Sequence, residues 1–102
     1  MPAIHLVERQ NNIRRVSSLP QEWESGYWVV GEDTAQCLVG GDLYLHSGQQ
    51  EPSHFGGVVL SYRIHRGGAE DGRIVFRFRA TAEHQGVQTG RQGWGNEKKL
   101  VL

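Results

Sequence analysis

The apolar residues of this chain fall in short runs separated by glycines and polar residues, a pattern that predicts strands. The most regular stretch is a pair. Val58, Leu60, Tyr62 and Ile64 alternate with Val59, Ser61, Arg63 and His65, and Ile74, Phe76 and Phe78 alternate with Arg73, Val75, Arg77 and Arg79. A period of two predicts neighbouring strands that turn Val58, Leu60, Tyr62, Ile64, Ile74, Phe76 and Phe78 to the core and the arginines to the opposite face. The joining residues, Arg66-Gly67-Gly68-Ala69-Glu70-Asp71-Gly72, are rich in turn formers and predict a hairpin with a long loop.

Ile4-His5-Leu6-Val7 predicts a short strand, followed by a turn at Asn11-Asn12. Ser17 to Trp23 reads as a loop entering one helical turn, with Ser18 as N-cap and Pro20 early in it. Tyr27-Trp28-Val29-Val30, bounded by Gly26 and Gly31, predicts a buried strand. Glu32 to Val39 has acidic residues first, Ala35, Leu38 and Val39 at helical spacing, and Gly40 where a C-terminal cap belongs. Cys37, in that short helix, is expected to pack as a partly or fully buried small hydrophobe. Leu43-Tyr44-Leu45-His46 predicts another strand, Ser47 to Phe55 a polar loop, Thr81 to Asn96 an irregular stretch, and Lys98 to Leu102 a final strand. The sum is a mainly β protein with one or two short helices (α+β), a small, partly open β-barrel forming one domain over residues 1–102.

Composition narrows the function. Eleven acidic and eleven basic side chains cancel to a net charge of zero, which excludes a polybasic protein that binds nucleic acid by bulk charge. A hydrophobic content of 37% supports a core and excludes an acidic disordered segment. There is no apolar run near ~18 residues and no leader-like segment, so no membrane partner is expected and the cytoplasm is the expected location. One cysteine makes no internal disulfide.

Three features carry candidate chemistry. The alternation places Arg63, His65, Arg73, Arg77 and Arg79 on one sheet face; planar guanidinium forks suit phosphate, while the alternative is a solvated face paired with Glu70, Asp71 or Glu83. The stretch His46 to Gly57 gathers His46, Ser53 and His54 with two glutamines and a glycine pair, donors and acceptors suited to the edge of a flat polar ligand. His46 and His54 have no further ligand pattern around them, so neither a metal nor another cofactor is expected. Trp23, Tyr27 and Trp94 lie near loops or strand ends, where an aromatic ring either stacks a ligand or caps the core.

The order strand, short helix, Gly-Gly-Asp, strand, loop, Gly-Gly-strand resembles the small β-barrels of the PUA-like superfamily, which includes the EVE, YTH and ASCH domains. The residues that carry it are Tyr27-Trp28-Val29-Val30, the helix ending at Val39, Gly41-Asp42-Leu43-Tyr44-Leu45-His46 and Phe55-Gly56-Gly57-Val58-Val59. The resemblance covers about half the chain. It implies recognition of RNA, or of modified bases in DNA or RNA, in an aromatic-lined pocket.

The leading expectation is a non-catalytic module for nucleic acid or a nucleotide-like ligand. Trp23, Tyr27 or Trp94 would stack a base, His46, Ser53 and His54 would bind its edge, and Arg63, Arg77 and Arg79 would hold phosphate. An interaction protein docking through a sheet edge such as Leu100–Leu102 is the alternative, and an enzyme using the histidines of the 46–57 stretch the third.

Overall fold

The computed structural model describes residues 2–16 and 21–102. In chain order the elements are β1 (Ala3–Val7), β2 (Ile13–Arg15), β3 (Glu22–Trp28), α1 (Glu32–Leu38), β4 (Asp42–His46), β5 (Ser53–Ile64), β6 (Ile74–Ala80), a 3-10 turn at Ala82–His84, β7 (Trp94–Gly95) and β8 (Lys98–Val101). They form one open eight-stranded sheet in the order β2-β3-β6-β5-β4-β1-β8-β7. β1 and β4 are parallel, because the chain between them crosses over through β2, β3 and α1; the other pairs are antiparallel.

Ile4 and Leu6 of β1, Leu43 and Leu45 of β4, Val59 of β5, and Ile74, Phe76 and Phe78 of β6 form the core, and α1 seals it with Ala35 and Leu38. The sheet coils strongly. Lys98 of β8 donates to the Val29 carbonyl, just past β3, at 2.7 Å, although four strands separate β8 from β3 in the sheet. Glycines permit the coil at the middle of β5. A Cβ on Gly56 would lie 2.2 Å from the Leu43 carbonyl oxygen of β4, and one on Gly57 2.0 Å from that of Arg79 on β6. Both neighbouring strands therefore approach β5 more closely than any side chain allows.

Several expectations are corrected. The apolar phase of β5 changes within the strand, where the register shifts between Val59 and Ser61. Val59 takes the core position opposite Phe78, Val58 stands opposite Arg79 on the outer face, and only after the bulge do Tyr62 and Ile64 pair with Phe76 and Ile74. A bulge inserts one residue, and one residue inverts the alternation. The aromatic strand starts earlier than expected and ends at Trp28, leaving Val29 67% exposed. Trp23 thus lies in a strand, while the Ser18 cap and Pro20 lie outside the described residues. Because β5 begins at Ser53, the loop after β4 is shorter than the predicted Ser47–Phe55. Cys37 is exposed. Ala35 and Leu38, three apart, share the buried face of α1, and the turn geometry rotates position 37 away from it. Among the described residues no helix is long and apolar enough to cross a membrane.

Candidate functional site

Where the coiled sheet comes back on itself it leaves a seam cleft of about 290 Å³. The end of β1 and the residues after it form one wall with Val7, Glu8, Arg9, Gln10 and Asn12; the end of β3 forms another with Tyr27, Trp28 and Val29. Arg73 and the β7–β8 turn, Gly95 to Lys98, complete the lining. The Trp28 indole donates to Ser25 Oγ at 3.0 Å, which fixes its ring, and Tyr27 packs on His65 with centroids 4.5 Å apart. Lys98 is spent on the Val29 carbonyl. Arg9 and Arg73 are exposed and form no ion pair among the described residues. Arg9, Gln10, Asn12, Tyr27, Trp28, Arg73 and Asn96 therefore line one concavity, with Trp28 also packed on the core and the Asn12 amide donating to Gln10 at 3.4 Å.

The arginine face is differently composed. Arg63 directs Nε and Nη2 to the Glu24 carboxylate at 3.3 and 3.1 Å, and Arg14 reaches the same group at 3.1 Å. Burial alone would raise the Glu24 carboxyl, but Arg63 and then Arg14 outweigh it and hold the group below its ordinary range. Arg77 is paired with Glu22. The successive strands β2, β3, β6 and β5 thus pair three arginines with two glutamates in a cross-strand ladder, and Arg79 stands exposed and without an ion pair among the described residues.

A third group lies on the outer face of β1 and β4. His5 Nδ1 and His46 Nε2 are 2.9 Å apart, and His46 Nδ1 is 2.8 Å from the Glu51 carbonyl oxygen. A carbonyl only accepts, so His46 carries its proton on Nδ1 and receives the His5 Nδ1 proton on Nε2. Burial, then His46 and Lys99, push His5 down to about 4. Burial also lowers His46, against the pull of its bond to the Glu51 carbonyl. Tyr44 stacks between His5, with centroids at 4.6 Å, and His84 at 5.0 Å. His84 Nε2 donates to Asp42 at 2.9 Å, while its Nδ1 faces the Thr81 hydroxyl; this array anchors the 3-10 turn over the sheet.

Of the ligand-binding residues expected from the sequence, Tyr27 alone lines the seam cleft. Trp23 is half-buried, edge-on to Phe55, and packs on the core. His46 is buried in the histidine pair with Trp94 packed edge-on against it. Ser53 is buried too, donating to the His84 carbonyl at 2.6 Å and accepting from the Val87 amide at 2.9 Å, so its hydroxyl fastens the chain after β6. His54 is exposed. Sequence reasoning passed over His5, whose signal is a titratable residue inside the apolar run Ile4–Val7. It also missed Arg9, Gln10 and Asn12, which have no pattern of their own and gather only when the sheet coils. Comparison with protein-family models, curated proteins and solved structures finds no match for this chain.

Proposed function

We propose that this protein is a non-catalytic binding module that holds a nucleotide-like ligand, free or as an unpaired base of RNA or of modified nucleic acid, in the seam cleft. The carrying observation is the juxtaposition of Tyr27 and Trp28 with the uncommitted guanidiniums of Arg9 and Arg73. Aromatic faces stack a base, guanidiniums hold phosphate, and Gln10, Asn12 and Asn96 offer both donors and acceptors to a base edge. The volume, about 290 Å³, stands at the lower end for small-molecule pockets and suits a single nucleotide unit better than a duplex. Zero net charge fits a pocket reader better than a backbone binder. The coiled sheet with its glycine-bent β5 is in this reading a partly open, PUA-like barrel, and the nucleic-acid role is a cytoplasmic one. In this reading the arginine ladder is a solvated face, and Arg79 is its one member that remains a phosphate contact for a longer strand.

Calorimetric titration with adenosine 5′-monophosphate and with short single-stranded RNA tests the reading. Tyr27→Ala and Arg73→Ala are each expected to weaken binding by about tenfold, the ordinary worth of one stacked base or one charge-assisted contact. Full affinity in both variants would reject the cleft.

A second reading has its own observation. β7 pairs with β8 only at Lys98 and Lys99, and Val101 is 44% exposed on the uncovered part of that edge. An extended partner strand adds to such an edge. Concentration-dependent sedimentation that Val101→Pro abolishes would favour this reading.

A further inference from the structure

We propose that the His5–His46 pair is an acid-sensitive latch on the β7–β8 turn, and that its protonation opens one wall of the seam cleft. The consequence for ligand rests on the function proposed above; the latch itself does not.

The tautomers explain the sensitivity. His5 donates to His46 and His46 donates to the Glu51 carbonyl, so a first proton enters at His5 Nε2, where it keeps both bonds but places a charge in a buried site. A second proton, on His46 Nε2, sets two N–H groups head to head at 2.9 Å. His5 is 5% exposed and His46 fully buried, so neither new charge is solvated without movement. Among the described residues no carboxylate pairs with either ring. Lys99 of β8 stands opposite His5 in the register, and His54 of β5 also disfavours a charge on His46. From β4 the neutral Tyr44 ring stacks on His5; Asp42 is already bonded to His84 on the far side of that ring. From β7 the uncharged Trp94 packs on both rings.

The cover is what joins this pair to the cleft. Trp94 packs edge-on against His5 and His46, with centroids 6.3 and 5.7 Å away, and its buried Nε1 has no hydrogen-bond partner. The next residues, Gly95, Asn96 and Glu97, line the cleft. Beyond the two-residue ladder of β7 with β8, two bonds hold them among the described residues: the Val7 amide donates to the Glu97 carbonyl at 2.9 Å, and Gln49 donates to the Asn96 carbonyl. Gln49 belongs to the same short loop as Glu51, whose carbonyl accepts from His46 Nδ1, so a displacement of the charged pair reaches the turn from that side as well as through Trp94. A short, lightly fastened element of this kind opens below the cost of global unfolding.

Site-resolved amide exchange at about pH 7.5 and about pH 4.5, corrected for intrinsic rates, tests the latch. The Val7 amide, bonded to Glu97, is expected to lose protection by about tenfold more than the β5–β6 amides at the lower pH. The double variant His5→Asn/His46→Asn keeps polar side chains that do not titrate, and is expected to suppress that difference. An equal loss in Val7 and in β5–β6, or none at Val7, would overturn the latch; if the variant does not fold, the wild-type contrast still decides. Adenosine 5′-monophosphate is the probe for the coupling, with an expected affinity loss of about tenfold over the same interval. Equal affinity at both pH values would overturn the coupling. Binding at neither pH refutes the nucleotide reading alone, because the exchange contrast needs no ligand.

Discussion

His5 donates from Nδ1 to His46 Nε2 across 2.9 Å, joining the parallel strands β1 and β4 through two buried neutral imidazoles. In the register the direct partner of His5 is Tyr44, so the histidine bond is diagonal and Tyr44 stacks beside it. Burial makes the uncharged form of this pair the one the fold favours.

The first prediction is therefore a stability that falls on acidification. His5 is lowered from 6.5 to about 4 in the folded protein. Between those values the unfolded chain binds the proton and the folded chain does not. The His5 contribution is thus fully present above 6.5, is lost as pH falls, and is gone below about 4, where protonation of the ion-paired Glu24 takes over the decline. The contribution is on the order of 3 kcal/mol. Urea unfolding across this window should show the slope in the wild type and a smaller one in His5→Asn; identical slopes would contradict the assignment.

The bulge in β5 predicts opposite consequences for two neighbouring valines. Val59→Ala empties a core site and should cost about 2 kcal/mol, whereas Val58→Ala on the outer face should cost roughly 1 kcal/mol or less. Phe76→Ala, at a fully buried position, should cost about 3–5 kcal/mol. Thermal melts rank the three, and a larger loss at Val58 than at Val59 would restore an unbroken alternation.

Gly57→Ala places its Cβ 2.0 Å from the Arg79 carbonyl oxygen. The neighbour is backbone and cannot step aside, so a loss of about 3 kcal/mol is expected, at the upper end of ordinary overpacking. Denaturant midpoints measure it; an unchanged midpoint would mean that β5 and β6 are further apart than described.

Cys37 should react stoichiometrically with a thiol reagent in the native protein, because it faces solvent on α1. Mass spectrometry after brief labelling reads this directly. Slow labelling limited by unfolding would return Cys37 to the core.

The fold was legible where one local rule dominates. Phe76 and Phe78 follow strict alternation, Gly40 ends α1 with φ +86°, and Leu100 lies in a short apolar end strand. It was obscure where a long-range event intervenes. No residue of the run Val58–Leu60 announces that β5 slips between Val59 and Ser61, since valine and leucine suit either face. Cys37 looked apolar by composition, and only the rotation of α1 set by Ala35 and Leu38 turns it outward. The site was less legible still. Arg9, Tyr27, Arg73 and Asn96 are far apart in sequence and meet only because Gly56 and Gly57 let the sheet coil. The arginine pattern was visible, but its partners Glu22 and Glu24 stood in a segment with no clear strand period.

The most direct test is amide chemical-shift mapping with adenosine 5′-monophosphate and a short single-stranded RNA. The seam cleft is expected to respond as one unit, with shifts at Arg9, Tyr27, Trp28, Arg73 and Asn96 that saturate together. Shifts confined to Arg63, Arg77 and Arg79, or no shifts with either ligand, would contradict it.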